Sequence, residues 1–522
     1  MKFKMQALLF SLLVLLTGKT VFSQAPMITY SDPDRNDYRR TEFEIIGKQN
    51  GNFLIYKKNQ NDHSIAVYDE DMKMKKLEKL DYIPDHWINI DFINYPDFVY
   101  MIYQYQRRNT LYCMGVKLDA EGKKMGEPFE MDTTSIGFTA NNKIYTTIHS
   151  DDKQKIMVFK INSKNPKSFY FTTMLYDSNL QLLHKDRMVL PMEERSEYFS
   201  DFMLSNEGEF CFAKFIRTNA SSEYISKLFM VTKLPSSSDF DVRPVDIGPR
   251  LLDELKLKVD NTNKRLLINA FFYPERRGNI AGLYTLFWDK ATNAKISDTV
   301  LLFSEGLRDL AKSADASKKM AFNDYYIKNI TIRKDGGFLL TSESLSTTSR
   351  GNTFNRWDYW RLGNPWMSPM DYYSPYYSPW SMPWGWGGRY YGYGYPYGYG
   401  YNSTRYLADN IMILSLDKNG LLEWSNVIQK AQYDNESDNT ISFQTMNTGS
   451  DIHFLFNQYE KRMLLLTDQS IDPEGKITRN PTLKNLDKGY DFMPRFGKQV
   501  SSSQMIVPCI YRNFLCFAKI EW

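Results

Sequence analysis

Short apolar runs alternate with polar tetrapeptides along most of the chain, at nearly even spacing. The clearest stretch is 86–131. It holds apolar runs at 87–93, 98–105, 111–118 and 125–131. Between them lie Asn94-Tyr95-Pro96-Asp97, Arg107-Arg108-Asn109 and Asp119-Ala120-Glu121-Gly122. Residues of these types tolerate turn dihedrals, so the pattern predicts four short antiparallel strands joined by hairpins. Runs such as Phe53-Leu54-Ile55-Tyr56, Ile156-Met157-Val158-Phe159 and Leu266-Leu267-Ile268 are apolar at every position. A strand covered on both faces reads this way.

The unit recurs, and its first hairpin turn tracks it. The turns are Lys48-Gln49-Asn50-Gly51, Asn94-Tyr95-Pro96-Asp97, Ser150-Asp151-Asp152-Lys153, Ser205-Asn206-Glu207-Gly208, Asp260-Asn261-Thr262-Asn263, Lys334-Asp335-Gly336-Gly337, Asn447-Thr448-Gly449-Ser450 and Val500-Ser501-Ser502-Ser503. Most intervals are roughly 46 to 56 residues, a spacing typical of propeller blades. A second marker runs in phase. The third strand often ends in a large residue followed by Asp, as at Tyr68-Asp69, Leu118-Asp119, Tyr176-Asp177, Trp288-Asp289, Leu416-Asp417 and Thr467-Asp468. An Asp there bonds the backbone amides of its own turn.

The expected fold is therefore all-β, a β-propeller of eight blades, with seven as the alternative if one unit is degenerate. A β-sandwich is the competing architecture, but it does not predict so many copies at one period. The last unit, from about Tyr490, has only three strands, and an open edge needs a partner. Met27-Ile28-Thr29-Tyr30 is the natural fourth strand, closing the ring between the termini. One helical pattern, 304–320, repeats Leu307, Leu310 and Ala311 at helical spacing and is expected in a surface connection between units five and six.

Charge and targeting narrow the function. Lys and Arg (65) nearly balance Asp and Glu (61), which excludes the concentrated basic face of a nucleic-acid binder. Lys2 and Lys4 precede the apolar run at 7–16, which is too short to span a bilayer. Residues 1–23 read as an export signal, with Gln24 opening a mature domain of 24–522. No Cys follows the run to take a lipid, and no second long apolar run exists, so the mature chain is expected in the periplasm or at the cell surface without a membrane span. The four cysteines, Cys113, Cys211, Cys509 and Cys516, sit in apolar strands. They read as buried free thiols; a bridge is the alternative for Cys509 and Cys516, which fall on consecutive strands of one hairpin.

The sixth unit is interrupted by an insertion at 347–407. It carries Trp357, Trp360, Trp366, Trp380, Trp384 and Trp386, then Tyr-Pro and Tyr-Gly patterns through 390–401. Gly and Pro exclude a regular element. A connection between second and third strands emerges on the face where propellers bind ligands. So many rings on a soluble chain suit a partner, because aromatic faces stack on sugars, prolines or other rings. Trp357, Trp360, Trp366, Tyr372, Tyr376, Trp380, Trp384, Trp386 and Tyr390 are the expected binding residues. A low-complexity loop without a specific role and a lid over a catalytic mouth are the other readings.

Catalytic motifs are missing. The five His (His63, His86, His149, His184, His453) form no HExxH, and no CxxC, GxSxG or dinucleotide fingerprint occurs, so no catalytic, cofactor or metal residue is assigned. His63 and His86 lie near turns and are expected in solvent; His149 and His453 lie in or beside strands and are expected as hydrogen-bonded core residues. Asp32-Pro33-Asp34-Arg35-Asn36-Asp37 lacks the alternation and central Gly of a calcium loop and reads as a solvated turn. Ser415-Leu416-Asp417-Lys418-Asn419-Gly420-Leu421-Leu422-Glu423-Trp424 resembles the Asp-box hairpin of sialidase-type propellers. Asp119-Ala120-Glu121-Gly122 and Asp472-Pro473-Glu474-Gly475 are partial copies, and Trp288-Asp289 is similar to the dipeptide of WD-repeat blades without its Gly-His. The resemblance implies a structural turn in each blade. The arginine triad and tyrosine nucleophile of sialidases are not located by any motif. The chain is thus similar to secreted bacterial propeller-type repeat proteins. It is expected to act as a non-catalytic binding or scaffold module of the cell envelope, with an envelope protein or polysaccharide as partner. A glycan-active enzyme with its site at the channel mouth is the alternative.

Overall fold

The computed structural model describes residues 26–522 apart from 138, 141–142, 166–167, 193–196, 218–223, 276–277, 313–320, 350–351, 355–403, 436–437, 461–462, 481–482 and 484–488. Its architecture is all-β and propeller-like, a succession of small antiparallel sheets. Unit 1 pairs Thr41–Gln49, Asn52–Asn59, Asp62–Tyr68 and Met74–Lys79 in chain order. Unit 2 (Trp87–Asn94, Val99–Arg107, Thr110–Leu118, Phe129–Ser135) and unit 3 (Tyr145–His149, Lys155–Asn165, Ser168–Asp177, Leu182–Pro191) repeat the meander. Unit 4 has a first strand in two pieces, Glu197–Phe199 and Met203–Leu204, followed by Phe210–Arg217, Ile225–Lys233 and Asp241–Val245. Unit 5 holds Leu251–Asp260, Arg265–Tyr273, Gly282–Asp289 and Ala294–Leu302. A single pairing, Ile225 with Leu252, joins units 4 and 5 into one nine-stranded sheet. Unit 6 holds Tyr325–Ile332, Phe338–Ser349, Thr404–Leu416 and Leu422–Ile428, and unit 7 holds Phe443–Asn447, Ile452–Glu460, Met463–Ile471 and Ile477–Arg479. Unit 8 has Tyr490–Phe492 and Lys498–Gln499 against Gln504–Tyr511, then Phe514–Glu521, and its fourth strand is Met27–Tyr30, paired from Met27 with Glu521 to Tyr30 with Ala518.

Local chemistry explains the hairpins. Each of the eight first turns lies between the first and second strands of its unit. At the next-but-one turn Asp69, Asp119, Asp177 and Asp417 each accept two backbone amides of their own loop at 2.8–3.0 Å. Asp468 behaves otherwise. It is fully buried within a strand, bonded to His453, Asn480 and the Trp522 indole, and Asp472 takes the turn instead. An Asp following a strand-like run does not itself say where the strand stops.

The core lies between units. Ile46, Leu54, Val67, Ile90, Met101 and Val116 fill the space between units 1 and 2, and equivalent clusters follow between each later pair. Another cluster packs Phe43, Phe53 and Tyr68 of unit 1 against Phe496, Ile506 and Phe517 of unit 8, with Phe43 and Phe517 edge to face at 5.2 Å. Each buried ring contributes about 1.5–3 kcal/mol.

Three expectations need correction. The fourth strand of unit 2 starts at Phe129, not at 125, because Gly126 (φ +128°) and Pro128 interrupt the ladder. The second strand of unit 6 runs on to Ser349 and its third begins at Thr404, both inside the 347–407 bounds, since the ladder continues through Ser346–Leu407 to Ser349–Thr404. The helix is described only over Glu305–Ala311, capped by Ser304 Oγ; it is partly core, for Leu307 and Ala311 are buried between units 5 and 6 while Leu310 faces solvent.

Candidate functional site: the aromatic rim at the insertion end

The expected binding residues Trp357, Trp360, Trp366, Tyr372, Tyr376, Trp380, Trp384, Trp386 and Tyr390 lie outside the described residues, as does the export segment 1–23. The root of the insertion is described. Phe338–Ser349 and Thr404–Leu416 form a long two-stranded ribbon, longer than the pairs in neighbouring units, and Asn352–Phe354 folds back on its tip. Gln432–Asp434 adds to its other side, pairing Tyr406 with Asp434 and Leu407 with Tyr433.

Beside that root an aromatic shelf reaches solvent. The Arg405 guanidinium lies 4.9 Å from the Tyr433 ring centroid and donates to Asn435 at 2.8 Å. Tyr433 stacks on Tyr459 of unit 7 at 5.7 Å and 21°. Both rings are exposed, at 45% and 48%. In unit 8 the series continues through Tyr490, stacked on Tyr30 at 4.3 Å and tilted against Tyr511 at 4.8 Å, with Arg512 over Tyr511. Carboxylates interleave. Asp434 accepts from Thr440 at 2.9 Å, and the Asp491 carboxyl is pushed up by burial and by the charge of Asp434. A stacked aromatic pair of this kind contributes about 0.5–1.5 kcal/mol.

Beneath the shelf lies a charged network. Glu343 and Lys430 have fully buried side chains 2.8 Å apart. The Lys430 ammonium also donates to Ala408 O at 2.9 Å and Gln432 Oε1 at 2.7 Å. Ser442 donates to the second Glu343 oxygen at 2.5 Å. The Ser442 amide donates to Gln432, which holds Ser442 at φ +71°, a conformation costly for any residue with a Cβ. Burial pushes the Glu343 carboxyl up, but Lys430, Lys328 and the Lys430 and Ser442 bonds outweigh it and hold it below the usual range. A bulge between Ile327 and Asn329 brings Lys328 to 3.6 Å from Glu343, and Glu254 Oε1 accepts the Ile327 amide at 2.8 Å. Glu343 and Lys430 are closed to water while Lys328 reaches solvent, and through Ser442 and Gln432 the network joins units 6 and 7.

The joint belongs to a series that reading for apolar runs passes over. The sixth residue of the second strand is polar and buried in units 1, 2, 3, 6 and 7: Lys57, Gln104, Lys160, Glu343 and Asn457. Gln104 bonds the backbone of Ile144 and Tyr145 in unit 3; Lys160 reaches back to Asp132 of unit 2 at 2.6 Å; Asn457 reaches Phe492 O of unit 8 at 2.7 Å; Lys57 grips Asp34 of the N-terminal segment at 2.6 Å. Chain crossing between sheets has no ladder partner, and these side chains satisfy it. The signal was a lone polar residue ending each apolar run.

The remaining candidates have structural places. His63 is buried, not solvated, and bonds Tyr56 at 2.6 Å, while His149 is solvent-exposed with Nδ1 on Ser150 O. All four cysteines are buried and free. Cys509 and Cys516 are cross-strand neighbours with sulfurs 3.1 Å apart, and burial pushes the Cys509 thiol up. Asp34 is taken by Lys57 and Asp37 caps Tyr38–Arg40. Among the described residues no group of His, Cys, Asp and Glu is arranged to hold a metal, and no helix is long and apolar enough to cross a membrane.

No protein-family model matches the chain, and a search of curated proteins finds no match. Solved structures do resemble it. Prolyl oligopeptidase B from Galerina marginata is 7% identical, over 91% of this chain and 56% of that one, with a TM-score of 0.40. Synechocystis apocarotenoid oxygenase is 7% identical over 73% of this chain and 72% of that one, at 0.33. A eukaryotic initiation factor is 10% identical over 95% of this chain and 98% of that one, at 0.38. The chain thus spans little more than half of the prolyl oligopeptidase, and none of these likenesses assigns it an activity.

Proposed function

We propose that the chain is an exported eight-bladed β-propeller that works as a non-catalytic binding or scaffold module of the bacterial cell envelope. The blades are units 1 to 8, and the ring closes where Met27–Tyr30 completes unit 8. The apolar cluster shared by units 8 and 1 supports closure, as does the regular succession of clusters before it. Residues 1–23 direct export, and the mature chain begins at Gln24 in the periplasm or at the cell surface. The partner is an envelope protein or polysaccharide held at the aromatic rim. The observation that carries this reading is the exposed Tyr433–Tyr459 stack, flanked by Arg405, at the foot of the ribbon that bears the insertion. Exposed rings without apolar cover favour a partner that supplies it.

The test replaces residues 355–403 by a short Gly-Ser connector, and separately makes Tyr433→Ala with Tyr459→Ala. Binding to purified envelope polysaccharides and to cross-linked envelope proteins is then measured. Both variants should melt as the parent does and lose binding. Unfolding of the connector variant would make the insertion part of the core and end this reading.

Asp491 and Asp434 support the second reading, a glycan-active enzyme. A carboxyl pushed up beside another carboxylate is the pairing glycosidases use. Hydrolysis of an envelope glycan that disappears in Asp491→Asn would establish it, and its absence in the parent protein would remove it.

A further inference from the structure

At the opposite end of the sheets, where first and second strands turn, lysines converge that the rim does not use. Lys498 lies in the first strand of unit 8, and its ammonium donates to Ile46 O of unit 1 at 3.1 Å. The next residue, Gly47, has φ +151° beside a bulge, and a Cβ there would lie 2.5 Å from Asn94 Nδ2 of unit 2. Gly47 therefore lets the Asn94 amide close over the strand. Asn94 O in turn accepts the Lys153 ammonium of unit 3 at 2.7 Å. One run of contacts thus carries two ammoniums across units 8, 1, 2 and 3.

Neither lysine has a carboxylate at ion-pair distance among the described residues; each has one backbone carbonyl only. Asn94 Oδ1 is occupied by Gln49, and its Nδ2 donor, lying over Gly47, has no acceptor among the described residues. Lys153 also sits at φ +56°, where Gly or Asn would cost less. Its carbonyl is pinned there by the Tyr95 hydroxyl at 2.7 Å. Retaining lysine in a left-handed turn position is a cost that a structural turn does not need.

The electrostatics agree with the geometry. Burial, then the charge of Lys498, lowers Lys153; burial lowers Lys498, with Glu44 opposing; and His149 is lowered by burial and by both lysines, against its Ser150 bond and Asp151. Lys48 is nearby but is taken by Glu70 and Gln504. Both lysines are half-buried and His149 is exposed, so solvent reaches the space between them.

We propose that Lys498, Lys153 and the Asn94 amide, with His149 at the edge, form a binding site for a small divalent oxyanion of the phosphate class at the turn end of the central opening. Two ammoniums and an amide supply donors from three sides, and a doubly charged tetrahedral anion offers acceptors to all of them. The site lies at the far end of the sheets from the aromatic rim and does not depend on the rim binding anything.

Inorganic phosphate is titrated into the mature full-length protein at constant ionic strength, followed by calorimetry and phosphorus NMR, with glycerol 3-phosphate as a second arm. One site per chain is expected for at least one probe, and tighter binding of the ester would mark a phosphorylated small molecule as the ligand. Lys498→Met and Lys153→Met should each weaken it by about tenfold or more. Lys153→Gly separates a site from a structural lysine: relief of the positive φ should raise the melting temperature while phosphate binding falls. Neither probe binding the parent protein, or Lys153→Gly and Lys498→Met binding as the parent does, overturns the proposal.

Discussion

Two junctions between neighbouring units solve the same packing problem with opposite chemistry. Between units 8 and 1 the centre of the contact is apolar, flanked by Lys48–Gln504, Lys498–Ile46 O and Lys519–Glu70: Phe43, Phe53, Phe496, Ile506 and Phe517 interlock, and Ser31 exchanges hydrogen bonds with the Phe517 backbone as the N-terminal strand enters. Between units 6 and 7 the link is polar: Ser442, at the entry to unit 7, donates to the buried Glu343 of unit 6, whose charge Lys430 of the same unit balances, and Gln432 donates to Asn457 O of unit 7. The apolar seam gains from every atom removed from water and has no geometry to satisfy beyond shape. The ionic joint gains only if all its partners are present, since each buried charge carries a large desolvation penalty. The seam tolerates graded change; the joint fails when one member is lost. The joint also sits under the ribbon that bears the insertion, where a rigid footing matters for whatever the rim holds.

The largest expected effect comes from removing residues 26–31. This strips the fourth strand from unit 8, exposes the edge of Phe514–Glu521, and should cost on the order of 5 kcal/mol or more in urea unfolding. An unchanged midpoint would mean that the seam holds without its strand. Next come single breaks of each kind. Phe517→Ala at the seam should cost about 3–5 kcal/mol through the cavity it leaves. Lys430→Met at the joint should cost about 3–5 kcal/mol by stranding Glu343. The pair differ in repair. Adding Glu343→Leu to Lys430→Met should restore most of the loss, whereas no second deletion at the seam should restore Phe517→Ala. Failure of that rescue would show that the charges do more at the joint than balance each other.

Acid sharpens the contrast. Glu343 is held below its unfolded value of about 4.3. Its contribution is therefore present above that pH and lost as pH falls through the lowered folded value. Stability measured from pH 6 down to pH 3 should fall less in the Glu343→Leu, Lys430→Met double variant than in the parent. Equal slopes would place the acid sensitivity elsewhere, with Asp132 the next carboxylate to examine, since burial raises it while Lys160, Lys185 and Tyr145 lower it further. The smallest effect belongs to the rim. Tyr459→Ala should change stability by no more than about 0.5–1.5 kcal/mol, the worth of one stacked pair.

Much of this was legible along the chain. The eight first turns and the partner of Met27–Tyr30 could be read because turn chemistry and an unfilled edge are local facts about residue type and strand count. Asp69, Asp119, Asp177 and Asp417 were readable for the same reason. Asp468 was not. The same dipeptide pattern holds a buried hub there, because His453, Asn480 and Trp522 arrive from other strands. His63 was misplaced for a similar reason: its turn is short, and Tyr56 and Trp87 cover it.

The sequence alone determined where the hairpin turns fall, since hydrogen-bonded hairpins depend on neighbours a few residues away, but not every strand end, as Phe129, Thr404 and Asp468 show. The tertiary structure decided which polar residues are joints and which lysines stay unpaired. Glu343 meets Lys430 and Ser442, and Lys498 reaches Ile46 O, only because the fold brings together segments far apart in the chain. What a buried charge does depends on the groups those neighbouring sheets bring to it.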